Sequence, residues 1–181
     1  MPGQNFTHAQ AIERATVITH VDNYTIALDV TTGPDTFAST TTIRFDASPG
    51  ATTFLDLVDA SVRSVTLNGT NLDVAAVFAD SRITLPGLAA SNEVTVVADC
   101  RYTNTGEGLH RFVDPVDGEV YLYTQFEVPD ARRVFATFEQ PDLKSTFQVT
   151  VTAPARWHVV SNQPTPAPTP TGPAPRPPPP P

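Results

Sequence analysis

Cysteine occurs once in this chain, at position 100, so no internal disulfide can form. Such a chain suits a reducing compartment and argues against a stapled secreted domain. Histidine is scarce: only His8, His20, His110 and His158 are present. No two stand four apart, the spacing that puts two imidazoles on one helical face for zinc. There is no G-x-S-x-G elbow and no Walker-type glycine loop. Gly106-Glu107-Gly108 does not fit the dinucleotide fingerprint, because Arg111 stands where the third glycine belongs. No apolar run comes near the roughly 20 residues that a membrane span needs. Met1 to Thr7 offer neither a basic n-region nor an apolar h-region, so no signal peptide is expected and a cytoplasmic location is. Positive charge is also in deficit, with 11 Lys and Arg against 19 Asp and Glu and a formal net charge of −8. A general affinity for nucleic acid or anionic membrane is therefore not expected, and a basic stripe is absent.

What is present is enough apolar material for one domain. The chain has 181 residues, of which 40% are hydrophobic. A short helix is expected over 7–16, with Thr7 as N-cap, Gln10 completing a capping box, and Ile12 and Ala15 facing inward. Beyond it the apolar period falls to two, the mark of half-buried strands. Tyr24–Val30 alternates, and a Thr-rich strand over 37–45 follows the turn at Thr31–Asp35. Phe54–Val58 is a short apolar run. Asn68-Gly69 marks a hairpin, because both central residues of its turn take positive φ. Ile83 and Leu85 precede Pro86-Gly87. Over Glu93–Tyr102 the residues Val94, Val96, Ala98 and Cys100 share one face, which reads Cys100 as core. Further strands are expected at Glu119–Val128, Thr146–Thr152 and Trp157–Ser161. Many short strands at this spacing point to an all-β sandwich or a curved open sheet.

After Asn162 the composition changes. Eleven of the 19 prolines lie in 164–181. Proline fixes φ and removes a backbone donor, so this tail cannot extend a sheet and is expected to be polyproline II or disordered. The domain is expected to occupy 1–163 and the tail 164–181. As a ligand for a proline-recognition module the tail offers only Arg176 as a flanking specificity residue.

Residues 104–147 differ in kind from the rest. In the strand 119–127, Val120, Leu122, Thr124 and Phe126 project one way and Tyr121, Tyr123, Gln125 and Glu127 the other. Gln125 and Glu127 thus present an amide and a carboxylate side by side, near where Pro129 stops the strand. Such a pair could hold a small cation such as an ammonium, or be merely a polar outer face. Arg132 and Arg133 are expected to pair with Asp130, Glu139 or Asp142 and fix the loop. Glu107 and His110 suggest an acid–base pair, but no neighbouring feature gives them a substrate.

Four motifs follow one another here: T-G-E-G-L-H-R-F at 105–112, T-Q-x-E at 124–127, A-R-R-x-F at 131–135 and F-x-x-P-D-x-K-x-x-F at 138–147. In this order and spacing they resemble the amino-terminal domain of the aminopeptidase N family of zinc metallopeptidases, over about residues 7–163. The acidic, Ala/Val/Thr/Pro-rich style is similar to actinobacterial members. The resemblance implies a saddle-shaped antiparallel β-sandwich packed on a thermolysin-like catalytic domain. It implies that Glu127 binds the free α-amine of a peptide substrate and that Gln125 lines the pocket for its first side chain. An α-ammonium has a pKa near ~8, so a positioned carboxylate selects for a chain end.

The H-E-x-x-H helix and the G-A-M-E-N loop of that family do not occur in the sequence. Ala136-Thr137 stands where the family often has Pro-Cys, and Gln140 where it often has Glu. The expectation is a chain cut before the catalytic domain: no cofactor of its own, zinc only in the full-length family, and no hydrolysis alone. Its implied partners are a peptide N-terminus and the parent enzyme's catalytic domain. The rival reading is a standalone sandwich-type binding module. A face meant for the catalytic domain would be exposed here and would drive self-association.

Overall fold

A computed structural model of the chain describes residues 5–172. It begins with helix α1, His8–Val17, and continues into strands β1, Ile18–Asp29, and β2, Thr36–Ala47. Next come β3, Thr53–Asp56, β4, Ala60–Leu67, and β5, Thr70–Leu72. A single helical turn α2, Val74–Val77, leads to β6, Phe78–Ala79, and β7, Arg82–Leu85. The long strand β8, Ser91–Arg101, precedes the pair β9, Gly108–Val113, and β10, Val120–Gln125. The last strand is β11, Thr146–Thr152. These strands make an all-β sandwich. A six-stranded sheet runs β11-β1-β2-β8-β4-β5, a three-stranded sheet runs β3-β7-β6, and β9 pairs with β10 alone.

Alternation in the sequence becomes burial in the sheet. Tyr24, Ile26 and Leu28 are buried from β1, with Val30 just beyond it, and Val94, Val96, Ala98 and Cys100 from β8. They face Leu55, Ile83 and Leu85 of the small sheet, and one contiguous core joins the two layers. Phe37, Ile43 and Phe45 of β2 sit at its centre with at most 2% exposure. Each such side chain contributes about 1.5–3 kcal/mol relative to exposure. Asn68 and Gly69 take φ of +51° and +79° and close the β4–β5 hairpin, as their residue types require.

The capping box forms as read: Thr7 Oγ1 accepts from the Gln10 amide and Gln10 Oε1 from the Thr7 amide. The inward face of α1 does not. Ile12 is 55% exposed and Ala15 is exposed, whereas Arg14 is buried. Its guanidinium carbon lies 3.8 Å from the ring centre of Phe6 and 4.2 Å from that of Phe54, with Asp56 at 3.4 Å. A planar guanidinium is weakly hydrated and stacks on aromatic faces, so it can take a core position when a carboxylate meets it.

Three further differences concern strands. β9 lies within the motif block, where Gly106, Gly108 and the run His110-Arg111 obscure alternation. Trp157–Ser161 is not a strand: the Trp157 amide bonds back to Pro154 O, and no backbone bond joins the segment to a described strand. β11 joins β1 in parallel, Asn23 with Thr146 through Asp29 with Thr152, so the sandwich is not wholly antiparallel. Residues 164–172 carry no helix or strand and are exposed; the rest of the proline tail lies outside the described residues. No helix among the described residues is long and apolar enough to cross a membrane.

Candidate functional site

The β9–β10 pair sets out the candidate residues in register. Tyr121 stands opposite Phe112, Tyr123 opposite His110, and Gln125 opposite Gly108. The outward face is therefore two aromatic pairs followed by a notch, since Gly108 places no side chain beside Gln125. His110 and Tyr123 stack with ring centres 4.7 Å apart. Tyr121 and Tyr123 are each 51% exposed and Phe112 is 46% exposed. The opposite face holds Leu122 and Phe126 against the core.

The strand ends at Gln125, two residues before Glu127. Residues 127–130 form a turn with a cis Val128–Pro129 bond. Gln125 Oε1 accepts from the Glu127 amide at 2.5 Å, which bends the amide side chain over the start of that turn. Both side chains are exposed. The Glu127 carboxylate makes no ion pair or hydrogen bond with another described side chain. It thus lies exposed in the turn that follows β10, without a side-chain partner among the described residues.

Arg133 anchors this corner. It follows the turn in a short 3₁₀ segment, Ala131–Arg133. Its guanidinium reaches Asp130 at 2.8 Å, Asp59 at 2.8 Å and Glu107 at 3.1 Å. Burial works against its charge. The Asp130 hydrogen bond and the carboxylates of Asp130, Glu107 and Asp59 outweigh that and hold its pKa above the ordinary value. The Asp130 pairing was expected; those with Asp59 and Glu107, far apart in sequence, were not legible from local spacing. Glu107 is thereby committed to Arg133, and His110 Nδ1 accepts from the Gly106 amide at 3.0 Å. The two do not form an acid–base pair with each other. Gly108 has φ +63°, and a Cβ there would lie 2.7 Å from Arg133 Cβ.

Arg132 turns the other way, donating from Nε to Pro129 O and from Nη2 to Asn5 Oδ1, while Glu139 Oε2 accepts from its amide. The following residues run along β3. Asp56 and Thr137 exchange backbone bonds of 2.8 and 3.1 Å, and Val58 donates to Arg132 O at 2.8 Å. Val134 to Phe138 are buried, and Phe138 donates its amide to the Tyr24 hydroxyl. Burial pushes the Glu139 carboxyl up. The A-R-R-x-F and F-x-x-P-D motifs are thus the floor under the Gln125–Glu127 corner.

No group of three His, Cys, Asp or Glu able to hold a metal stands among the described residues. Cys100 is wholly buried, with its thiol pushed up to about 12 by burial, then by Asp99.

The sequence matches a known family. The Peptidase M1 N-terminal domain family matches residues 20–173. The chain is 63% identical over 169 residues to an Aminopeptidase N of Streptomyces lividans, covering 91% of this chain and 20% of that protein. It is 54% identical over 43 residues to an Aminopeptidase N of Acetobacter pasteurianus, 24% of this chain and 12% of that protein. The chain therefore spans about a fifth or less of the length of these relatives. A native yeast LTA4 hydrolase superposes with TM-score 0.59 at 18% identity, over 73% of this chain and 22% of that one. An aminopeptidase A of Legionella pneumophila in complex with aspartic acid gives 0.59 at 15%, over 73% and 16%. At such identities the structural likeness concerns the fold.

Proposed function

This chain belongs to the peptidase M1 N-terminal domain family, and on that premise we propose that it is the end-recognising part of a zinc aminopeptidase. Glu127 takes the α-ammonium of the peptide's first residue, and Gln125 borders the space for that residue's side chain. The observation that carries this reading is the exposed Glu127 carboxylate, without a cation partner among the described residues, on a turn fixed by Gln125 and Arg133. A charge-assisted hydrogen bond of this kind contributes about 1.5–3 kcal/mol.

The aromatic pair Phe112 and Tyr121 on the same outer face supports docking against a catalytic domain, since exposed apolar patches of this kind mark contact surfaces. The zinc and the residues that activate water belong to that domain, so this chain alone hydrolyses no peptide bond. By itself the exposed carboxylate gives binding of about millimolar strength or weaker.

The test replaces the matching region of the Streptomyces lividans Aminopeptidase N with this chain. In the hybrid, Glu127→Ala should raise KM for alanine p-nitroanilide by about 10-fold or more, the equivalent of the lost charged bond. An unchanged KM would sink the proposal. The isolated chain offers a second check: alanine amide should shift the Glu127 NMR signals, and N-acetylalanine amide, which carries no ammonium, should not.

A further inference from the structure

Among the described residues, nothing pairs with the outer edge of β11. β11 closes one end of the six-stranded sheet and pairs only with β1. Thr152 O accepts from the Val30 amide, so Thr152 directs its backbone groups toward β1. In a parallel ladder this direction alternates along the strand. Thr146, Gln148, Thr150 and Thr152 therefore bond to β1, while Phe147, Val149 and Val151 turn their N–H and C=O groups outward. No other described residue bonds to these outward groups. An open edge of this kind is a template for another strand.

The same three side chains lie on the face that carries Tyr24, Ile26 and Leu28 in β1, the core face of the sheet. The core reaches Val151 but not the other two. Phe147 is 57% exposed and Val149 56%, and Phe147 stacks on Tyr24 with ring centres 4.8 Å apart. The edge thus combines unpaired backbone with an uncovered apolar stripe.

The strand Thr-Phe-Gln-Val-Thr-Val-Thr is also palindromic in pattern about Val149. If a second copy of β11 runs antiparallel to it on a twofold axis through Val149, Phe147 meets Val151, Gln148 meets Thr150 and Thr146 meets Thr152. Apolar residues meet apolar ones on the core face, and hydroxyls and amides meet on the other. The seam contains no charge and no proline, the two devices that usually blunt an edge. No like charges oppose across it despite the chain's net charge of −8. The proline tail makes a poor occupant, because it lacks the amides a ladder needs.

We propose that β11 is a self-pairing edge, through which two copies of this chain join antiparallel about Val149 into one continuous sheet. A symmetric, self-complementary patch of this kind is the usual basis of a twofold dimer. Twofold pairing makes Val149 a directly opposed, hydrogen-bonded pair with itself. In such a pair the Cα atoms are about 5.5 Å apart, within the range that a disulfide spans.

The experiment is sedimentation of the full chain over a concentration series, with three variants. The wild-type chain should pass from monomer to dimer as concentration rises. Val149→Lys sets two ammonium groups against each other at the axis and should remain monomeric. Val149→Cys should cross-link on mild oxidation, whereas Gln148→Cys, offset from its own copy, should not; Cys100 is buried and does not compete. Phe112→Ser with Tyr121→Ser removes the other exposed aromatic patch and should leave the dimer intact. A wild-type chain that stays monomeric overturns the proposal. So does a dimer that survives Val149→Lys, one lost with Phe112 and Tyr121, or cross-linking at Gln148 in place of Val149.

Discussion

Gly108 lies directly opposite Gln125 across the β9–β10 pair, and the side chain of Arg133 fills the space behind it where a Cβ would go. One glycine therefore meets two demands, a positive φ and an approach too close for any side chain. The floor of the candidate site rests on this contact.

Gly108→Ala should cost about 1–3 kcal/mol through backbone strain alone, and more if Arg133 must move. Gly118 also has positive φ, +72°, but nothing within 4 Å of an added Cβ. Gly118→Ala should therefore be the milder change, and urea denaturation of the two variants side by side checks the order.

The buried ion pair of Arg14 and Asp56 gives a second prediction. Burial lowers the Arg14 pKa to about 10 against the pull of Asp56, and burial raises that of Asp56 against Arg14 and Arg82. Both charges depend on each other, with Arg82 Nε another 3.6 Å from Asp56. Arg14→Met should cost up to about 3–5 kcal/mol, the usual result of breaking a buried pair, reduced to the extent that Arg82 still meets Asp56. Combining it with Asp56→Leu should recover part of that loss in a thermal melt.

Stability should fall on the alkaline side. Burial raises the Cys100 thiol from 9.0 to about 12 and the Tyr102 phenol from 10.0 to about 12. The unfolded chain releases these protons first, so between about pH 9 and 12 it binds fewer protons than the folded one and gains relative to it. Their contribution is complete below the unfolded values and disappears as pH rises through the folded ones. Cys100→Val should flatten the decline measured by denaturant titration from about pH 8 to 11.

Glu127→Ala should leave folding unchanged within about 0.5 kcal/mol, since the side chain is exposed and bonded to no other described side chain. Gln125→Ala should cost about 1 kcal/mol by releasing the Glu127 amide. Equal melting curves for the Glu127 variant and wild type, with lost response to alanine amide, would separate recognition from stability.

Much of this fold is legible in the sequence because alternation is a local signal. The β1 and β8 faces, the Asn68-Gly69 turn and the Thr7–Gln10 box each follow from residues within a few positions of one another. The motif block likewise marked Gln125 and Glu127, which the structure brings to one exposed corner. What escaped reading depends on distant partners. Arg14 looks like a surface residue until Phe6, Phe54 and Asp56 gather around it. Trp157–Ser161 has strand composition, yet composition supplies no neighbour to pair with. Arg133 needs Asp59 and Glu107 from two other loops, and no spacing rule connects them.

The parallel union of β1 and β11 also bears on how the domain is made. β1 is synthesised early, but the strand that covers its outer edge comes after every other described strand. Contacts between such distant segments form slowly, because the intervening chain must first be ordered. A nascent chain halted before Thr146 would hold most of its core and still present β1 as an open edge. β11 thus acts as the latch on the β1 side of the large sheet, and until it docks β1 stays open to mispairing.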